Sequence, residues 1–111
     1  MRKSDPERIS SETKQFIITR IGQVRSNANL SAKELSRQIG VHEGYISRLE
    51  SKKDFLPSLE VLLKIIEVCG ITLEEFAYHN PQHYKQDKEI LDLLDKANED
   101  KKKAIISLLK Q

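Results

Sequence analysis

The chain has 111 residues, 38 % hydrophobic and 32 % charged, with a net charge of +2. That length suits one compact domain with an appendage and a modest core, and it excludes the deep cleft of a large enzyme. A single cysteine excludes an intramolecular disulfide, and no apolar run approaches the roughly 20 residues of a membrane-spanning helix.

Residues 1–11 are polar, contain Pro6 and read as a flexible arm. They lack the apolar core of a secretory signal, so a cytoplasmic protein is expected. Next, ETKQFIITRIGQVRSNA places Ile17, Ile21, Val24 and Ala28 on one helical stripe. Asn27 and Asn29 suit the end of that helix, because Asn tolerates the left-handed conformation. Ser31 opens a second helix. In SAKE its hydroxyl can accept an amide hydrogen while Glu34 reaches back, a capping box. Leu35 and Ile39 form the apolar face, and Gly40 stops the helix.

A third helix is predicted from about His42 to Ser51, with Ile46 and Leu49 inward, followed by the loop SKKDFLP. SLEVLLKIIEVCG is a fourth helix whose inward side is read as Leu59, Leu62, Leu63, Ile66 and Cys69, with Cys69 a core residue. Thr72 and Glu75 form another capping box, opening a short fifth helix through Phe76. Asn80–Pro81 is a breaker pair and the expected boundary between residues 12–79 and 80–111. Two further helical patterns follow, one carrying Ile90, Leu91, Leu93, Leu94 and Ala97, the other Ala104, Ile105, Leu108 and Leu109, with Asn98 as the cap between them. The prediction is an all-α chain.

The second and third helices carry the functional signal. Leu35, Ile39, Val41, Ile46 and Leu49 converge only if the two helices cross steeply, with Gly40 supplying the sharp bend. Ser36, one turn earlier, is small enough to let the helices approach. This is a helix-turn-helix pattern, in which the second helix is braced from behind and can enter a major groove about 12 Å wide. Charge agrees. From Lys14 to Lys53 there are eight Lys or Arg against three Glu, and from Asp54 to His79 one Lys against five acids. A local positive field attracts polyanions even when the total is near neutral.

From about Phe16 to Tyr78 the chain resembles the Cro/phage-repressor type of helix-turn-helix domain, the xenobiotic-response-element (XRE) family. The residues that carry the resemblance are IGQVR, LSAKELSRQIGV, YISRLE and LPSLEVLLKIIEVCGITLEEF, in order and over more than half the chain. It implies a five-helix, lambda-repressor-like domain that binds operator DNA as a dimer. Positions that read bases in the family resemble His42, Glu43, Gly44, Ser47 and Arg48 here. Arg48 can donate to guanine or to a phosphate, and Glu43 can accept from cytosine N4 or serve as a first-turn acid favoured by the helix dipole. Ala32 stands where the family has a phosphate-clamping Gln. That contact then falls to the helix amides around Ser31 and Ala32, with Lys33, Arg37, Tyr45, Lys52 and Lys53 as further phosphate contacts. Arg25 and Glu50 match an internal salt bridge of the family.

Residues 81–111 can form a helical hairpin. Two amphipathic helices cannot cover their own apolar faces, so this segment packs either on its own domain or on a second copy, and a homodimer is favoured. His79 and His83 are four apart, but Pro81 breaks the helix that would make them a metal pair. No cofactor, metal or catalytic residue is expected. His42 and Glu43 are adjacent, and helical neighbours point about 100° apart. The overall expectation is a transcriptional repressor binding a palindromic operator in double-stranded DNA. The alternative is a protein-interaction module of the same fold, antitoxin-like or a regulatory partner, acting through the acidic fourth and fifth helices or the tail.

Overall fold

A computed structural model describes residues 9–52 and 55–111, and of Lys52 it describes the backbone alone. Most of the expected arm, the Lys52 side chain and Lys53 therefore lie outside the described residues. The helices are α1 (Ser11–Asn27), α2 (Ala32–Ile39), α3 (Tyr45–Lys52), α4 (Leu59–Cys69), α5 (Leu73–Ala77), α6 (Tyr84–Lys96) and α7 (Glu99–Leu109), with a 3₁₀ turn at Pro81–His83. There is no strand among the described residues, and no helix of theirs is long and apolar enough to cross a membrane. The fold is all-α: a five-helix domain followed by a helical hairpin, in two compact units that divide between Ala77 and Tyr78.

Local chemistry sets the helix boundaries. Ser10, Ser31, Ser58 and Thr72 each accept an amide hydrogen from the residue three positions on, at 3.0–3.2 Å. Each thereby satisfies one orphan donor of a helix start. The capping box at Ser31 is only half made. Glu34 turns away from Ser31 and holds Arg37 and Gln38, both at 2.9 Å, because those partners lie one turn ahead on the same face. At the other end of α1, Asn29 takes a left-handed φ of 60°, and α2 ends at Gly40 with φ 80°.

In the first unit, α2 packs on α3 and α4, α1 packs on α3 and α4, and α5 packs on α4. Ile18, Ile21, Val24, Leu35, Ile39, Ile46, Leu49, Ile65, Ile66 and Phe76 form the core. Two expected stripes shift. On α1, Ile18 is buried and Ile17 only half-buried, because a helix wedged against two others hides more than one row of side chains. On α4, Ile65 is buried, whereas Leu59 is 70 % and Leu63 41 % exposed. A helix as apolar as LEVLLKIIEVC offers several equivalent stripes, and the position of α2 selects the one carrying Ile65 and Ile66.

The second unit begins with Tyr78, whose hydroxyl donates to the Asp87 carboxylate and whose ring meets that of Tyr84 edge-on at 5.4 Å. Asn80 caps the 3₁₀ turn through Gln82, and Asn98 caps α7 through Lys101. Ile90, Leu93, Leu94, Ala97 and Ile105 line an open groove of about 460 Å³ between α6 and α7. No residue of either helix is buried.

Candidate nucleic-acid interface

The turn between α2 and α3 is held by few bonds. After Gly40, the Val41 amide donates back to the Ser36 carbonyl at 3.0 Å. The sequence predicts a third helix starting at His42, but the observed one begins at Tyr45, so His42, Glu43 and Gly44 precede it. The reason lies in how the first amides of α3 are satisfied. The His42 ring Nδ1 accepts from the Gly44 amide at 3.0 Å, and the His42 carbonyl from the Tyr45 amide at 2.9 Å. The next amide, that of Ile46, donates to the Ser36 hydroxyl at 3.1 Å, and that hydroxyl donates to the Ala32 carbonyl at 2.8 Å. A fully buried serine of α2 thus caps α3 from across the turn. Gly44 has its own local reason: a Cβ there would lie 3.3 Å from His42 Nδ1, a tight contact against the capping ring.

This arrangement presents one face outward. Ile46 and Leu49 are wholly buried, while His42, Glu43, Ser47 and Arg48 are exposed. Gly44 and Tyr45 are half-buried at the margin. Burial pushes the Tyr45 phenol above its ordinary pKa, so it stays a neutral hydrogen-bonding group. Its ring meets Phe55 edge-on, centroids 5.9 Å apart, and the Arg48 guanidinium lies over the same Phe55 ring at 5.3 Å.

Ser31 and Lys33 are exposed at the start of α2, and Ala32 is half-buried against the core. The Ser31 hydroxyl takes the Glu34 amide, so the amides of Ala32 and Lys33 remain at the open end of the helix. Arg37 is exposed but carries a 2.9 Å ion pair with Glu34 that orients it and offsets part of its charge. The expected contacts are therefore unequal: among the described residues Lys33 is a bare cation and Arg37 a paired one.

One arginine braces this surface from behind, and a second ties α1 to α5. Arg25 grips Glu50 with two hydrogen bonds, Nε to Oε2 at 2.7 Å and Nη2 to Oε1 at 2.9 Å, and its Nη1 donates to the Leu30 carbonyl at 2.8 Å. One residue therefore ties α1, the loop before α2, and α3. Donating its hydrogen bonds to the Glu50 carboxylate holds the Arg25 pKa above its ordinary value, against the opposing effect of burial. Arg20, not singled out from sequence, is buried and donates to the Phe76 carbonyl at 2.6 Å and to Gln23 at 2.9 Å, with its guanidinium 4.8 Å from the Phe16 ring. Its signal is legible, since a charged residue stands between Ile17 and Val24 on an apolar stripe. Phe55 and the capping role of Ser36 also escape sequence reading, because both depend on contacts between separate elements. Cys69 is half-buried beside the core, and burial raises its thiol pKa while the nearby Arg25 charge lowers it.

No curated protein and no solved structure matches the chain. A helix-turn-helix family model matches residues 21–76, just over half of it, from the middle of α1 through Phe76 of α5. That span holds the capped turn, the outward face of α3 and the Arg25–Glu50 brace. With that geometry and that match, the chain belongs to the Cro/phage-repressor-type helix-turn-helix family, the XRE family of DNA-binding transcription regulators.

Proposed function

We propose that this chain is a repressor that reads a palindromic operator as a homodimer. The observation that carries the reading is α3 itself, whose inner face is wholly buried at Ile46 and Leu49 and whose outer face holds open polar side chains. In this reading His42, Glu43, Gly44, Ser47 and Arg48 meet base edges. With Nδ1 accepting from Gly44, the neutral His42 ring carries its proton on Nε2, a donor suited to a guanine or adenine N7. Arg48 donates in a fork to guanine. Ser31, Ala32, Lys33, Arg37 and Tyr45, with Lys52 and Lys53, meet phosphates and set the register. Occupying an operator suffices to block transcription, which makes repression the simplest outcome of such binding.

The dimer is supported by the second unit. Ile90, Leu91 and Leu93 are between 51 % and 63 % exposed, and a second copy related by a twofold axis would cover them. Two recognition helices would then lie about 34 Å apart, one turn of duplex.

Selection of binding sites from random duplexes, with the mass of the complex measured on the selected DNA, tests the palindrome and the dimer. The expected product is a palindrome with half-sites about ten base pairs apart, holding two chains, with an affinity that falls steeply with salt. Retention on duplex should drop for Arg48→Ala and for Arg37→Ala. A second reading, a protein-interaction module, is favoured by Leu59, Leu63 and Leu73, large apolar side chains exposed on the acidic α4–α5 region. It takes over if neither arginine variant alters retention.

A further inference from the structure

We infer that Phe55 is a positioning residue for DNA readout: its ring holds the Arg48 guanidinium in place at the groove-facing surface. This rests on the reading of α3 given above. The arginines of the first unit that the structure describes fall into two kinds. Arg20 is held by a carbonyl, and Arg25 and Arg37 are held by carboxylates. Arg48 has no such oxygen partner among the described residues, and its guanidinium carbon lies 5.3 Å from the centroid of the Phe55 ring. Phe55 in turn is half-buried, packed against the core, and met edge-on by Tyr45 at 5.9 Å.

The consequence is chemical. A carboxylate partner would consume the N–H groups that a base edge needs and would cancel the charge that draws the side chain to DNA. An aromatic face restrains the same guanidinium by the attraction of the cation to the ring quadrupole, and it leaves the charge in place. A long side chain that is already restrained loses less rotamer freedom on binding, so its hydrogen bonds convert more fully into discrimination. The stack Tyr45–Phe55–Arg48 thus preorganises one base contact, and it is assembled from the start of α3, its middle, and the loop beyond its end.

The test compares Phe55→Leu, which keeps apolar bulk without the ring, with Phe55→Tyr, which keeps the ring. Affinity is measured for the selected duplex and for duplexes with each G·C pair of a half-site exchanged in turn. The pair whose exchange no longer matters in Arg48→Ala is the one Arg48 reads. Phe55→Leu should cut the preference for that pair roughly two- to five-fold, the equivalent of an exposed cation–π contact. Phe55→Tyr should keep the preference, and Phe55→Leu should remove nothing further in the Arg48→Ala background. In the unbound protein, ring-current shifts of the Arg48 side-chain protons should persist in Phe55→Tyr and vanish in Phe55→Leu. If the unaltered chain binds duplex and Phe55→Leu discriminates as well as it does, or if the two losses simply multiply, the positioning role is overturned and the regulator reading stands. If the unaltered chain binds no duplex at all, the regulator reading fails and the positioning role fails with it.

Discussion

At the scale of single residues, the surface that faces outward depends on side chains that face inward. Ser36 is wholly buried, and its hydroxyl takes the Ile46 amide. Ser36→Ala leaves that buried donor without a partner and should lower unfolding free energy by about 1–3 kcal/mol in urea titration. Glu50 and Glu43 make a sharper comparison, because both are acids near α3 with opposite surroundings. Glu50 has a side chain 23 % exposed and two bonds from Arg25, whereas Glu43 is exposed. Glu50→Ala should cost about 1–3 kcal/mol, between the values of exposed and buried pairs, and Glu43→Ala almost nothing. Equal melting temperatures for the two variants would reject the brace. Cys69 adds a pH dependence. Its thiol pKa is raised in the native state above the ordinary 9.0, so the neutral thiol contributes stability below that value. The contribution is lost as pH rises through the native pKa. Thermal unfolding from pH 8 to 11 should fall more steeply for the unaltered chain than for Cys69→Ala.

At the scale of elements, two glycines make opposite demands. Gly40 ends α2 at φ 80°, where an added Cβ would meet nothing within 4 Å, so the restriction is conformational and not steric crowding by neighbours. Gly40→Ala should destabilise by about 1–2 kcal/mol, the penalty of the left-handed region. Gly22 sits inside α1, where an added Cβ would make ordinary contact with the Glu50 carboxylate at 3.7–3.9 Å. Gly22→Ala should stabilise by about 0.5–1 kcal/mol through helix propensity. Denaturant midpoints moving in opposite directions would bear out both accounts. The same contrast explains α3. A glycine stands just before its first turn, and its caps come from His42 and Ser36, so α3 is held at its start by the turn and by α2.

At the scale of the molecule, the two units differ in how completely each covers itself. Among the described residues the first holds ten buried apolar side chains, while α6 and α7 contain no buried residue. If a second copy covers the second unit, Leu93→Glu places a charge in the apolar groove and should shift sedimentation from two chains to one. The melting of the first unit should stay unchanged, and binding to a full palindrome should weaken far more than binding to a half-site. An unchanged sedimentation coefficient would place the interface elsewhere.

Much of this protein is local chemistry, and local chemistry is legible in sequence. Ser31, Ser58, Thr72 and Asn98 cap helices because a short polar side chain reaches an amide three residues away, and Gly40 ends α2 because the backbone there needs a positive φ. The order of helices and the helix-turn-helix motif followed from those signals and from apolar spacing. What sequence left open depended on which faces meet. LEVLLKIIEVC has apolar residues on nearly every side, so only packing on α1, α2 and α5 turned Ile65 inward and Leu59 outward. Arg20 found a carbonyl 56 residues away, Ser36 an amide of the next helix, and Arg48 a ring in the following loop. A chain written in one dimension states each residue's own preferences. Contacts between distant residues exist only once the helices have packed, and those contacts decided which side chains brace α3 from behind and which are left exposed on its outer face.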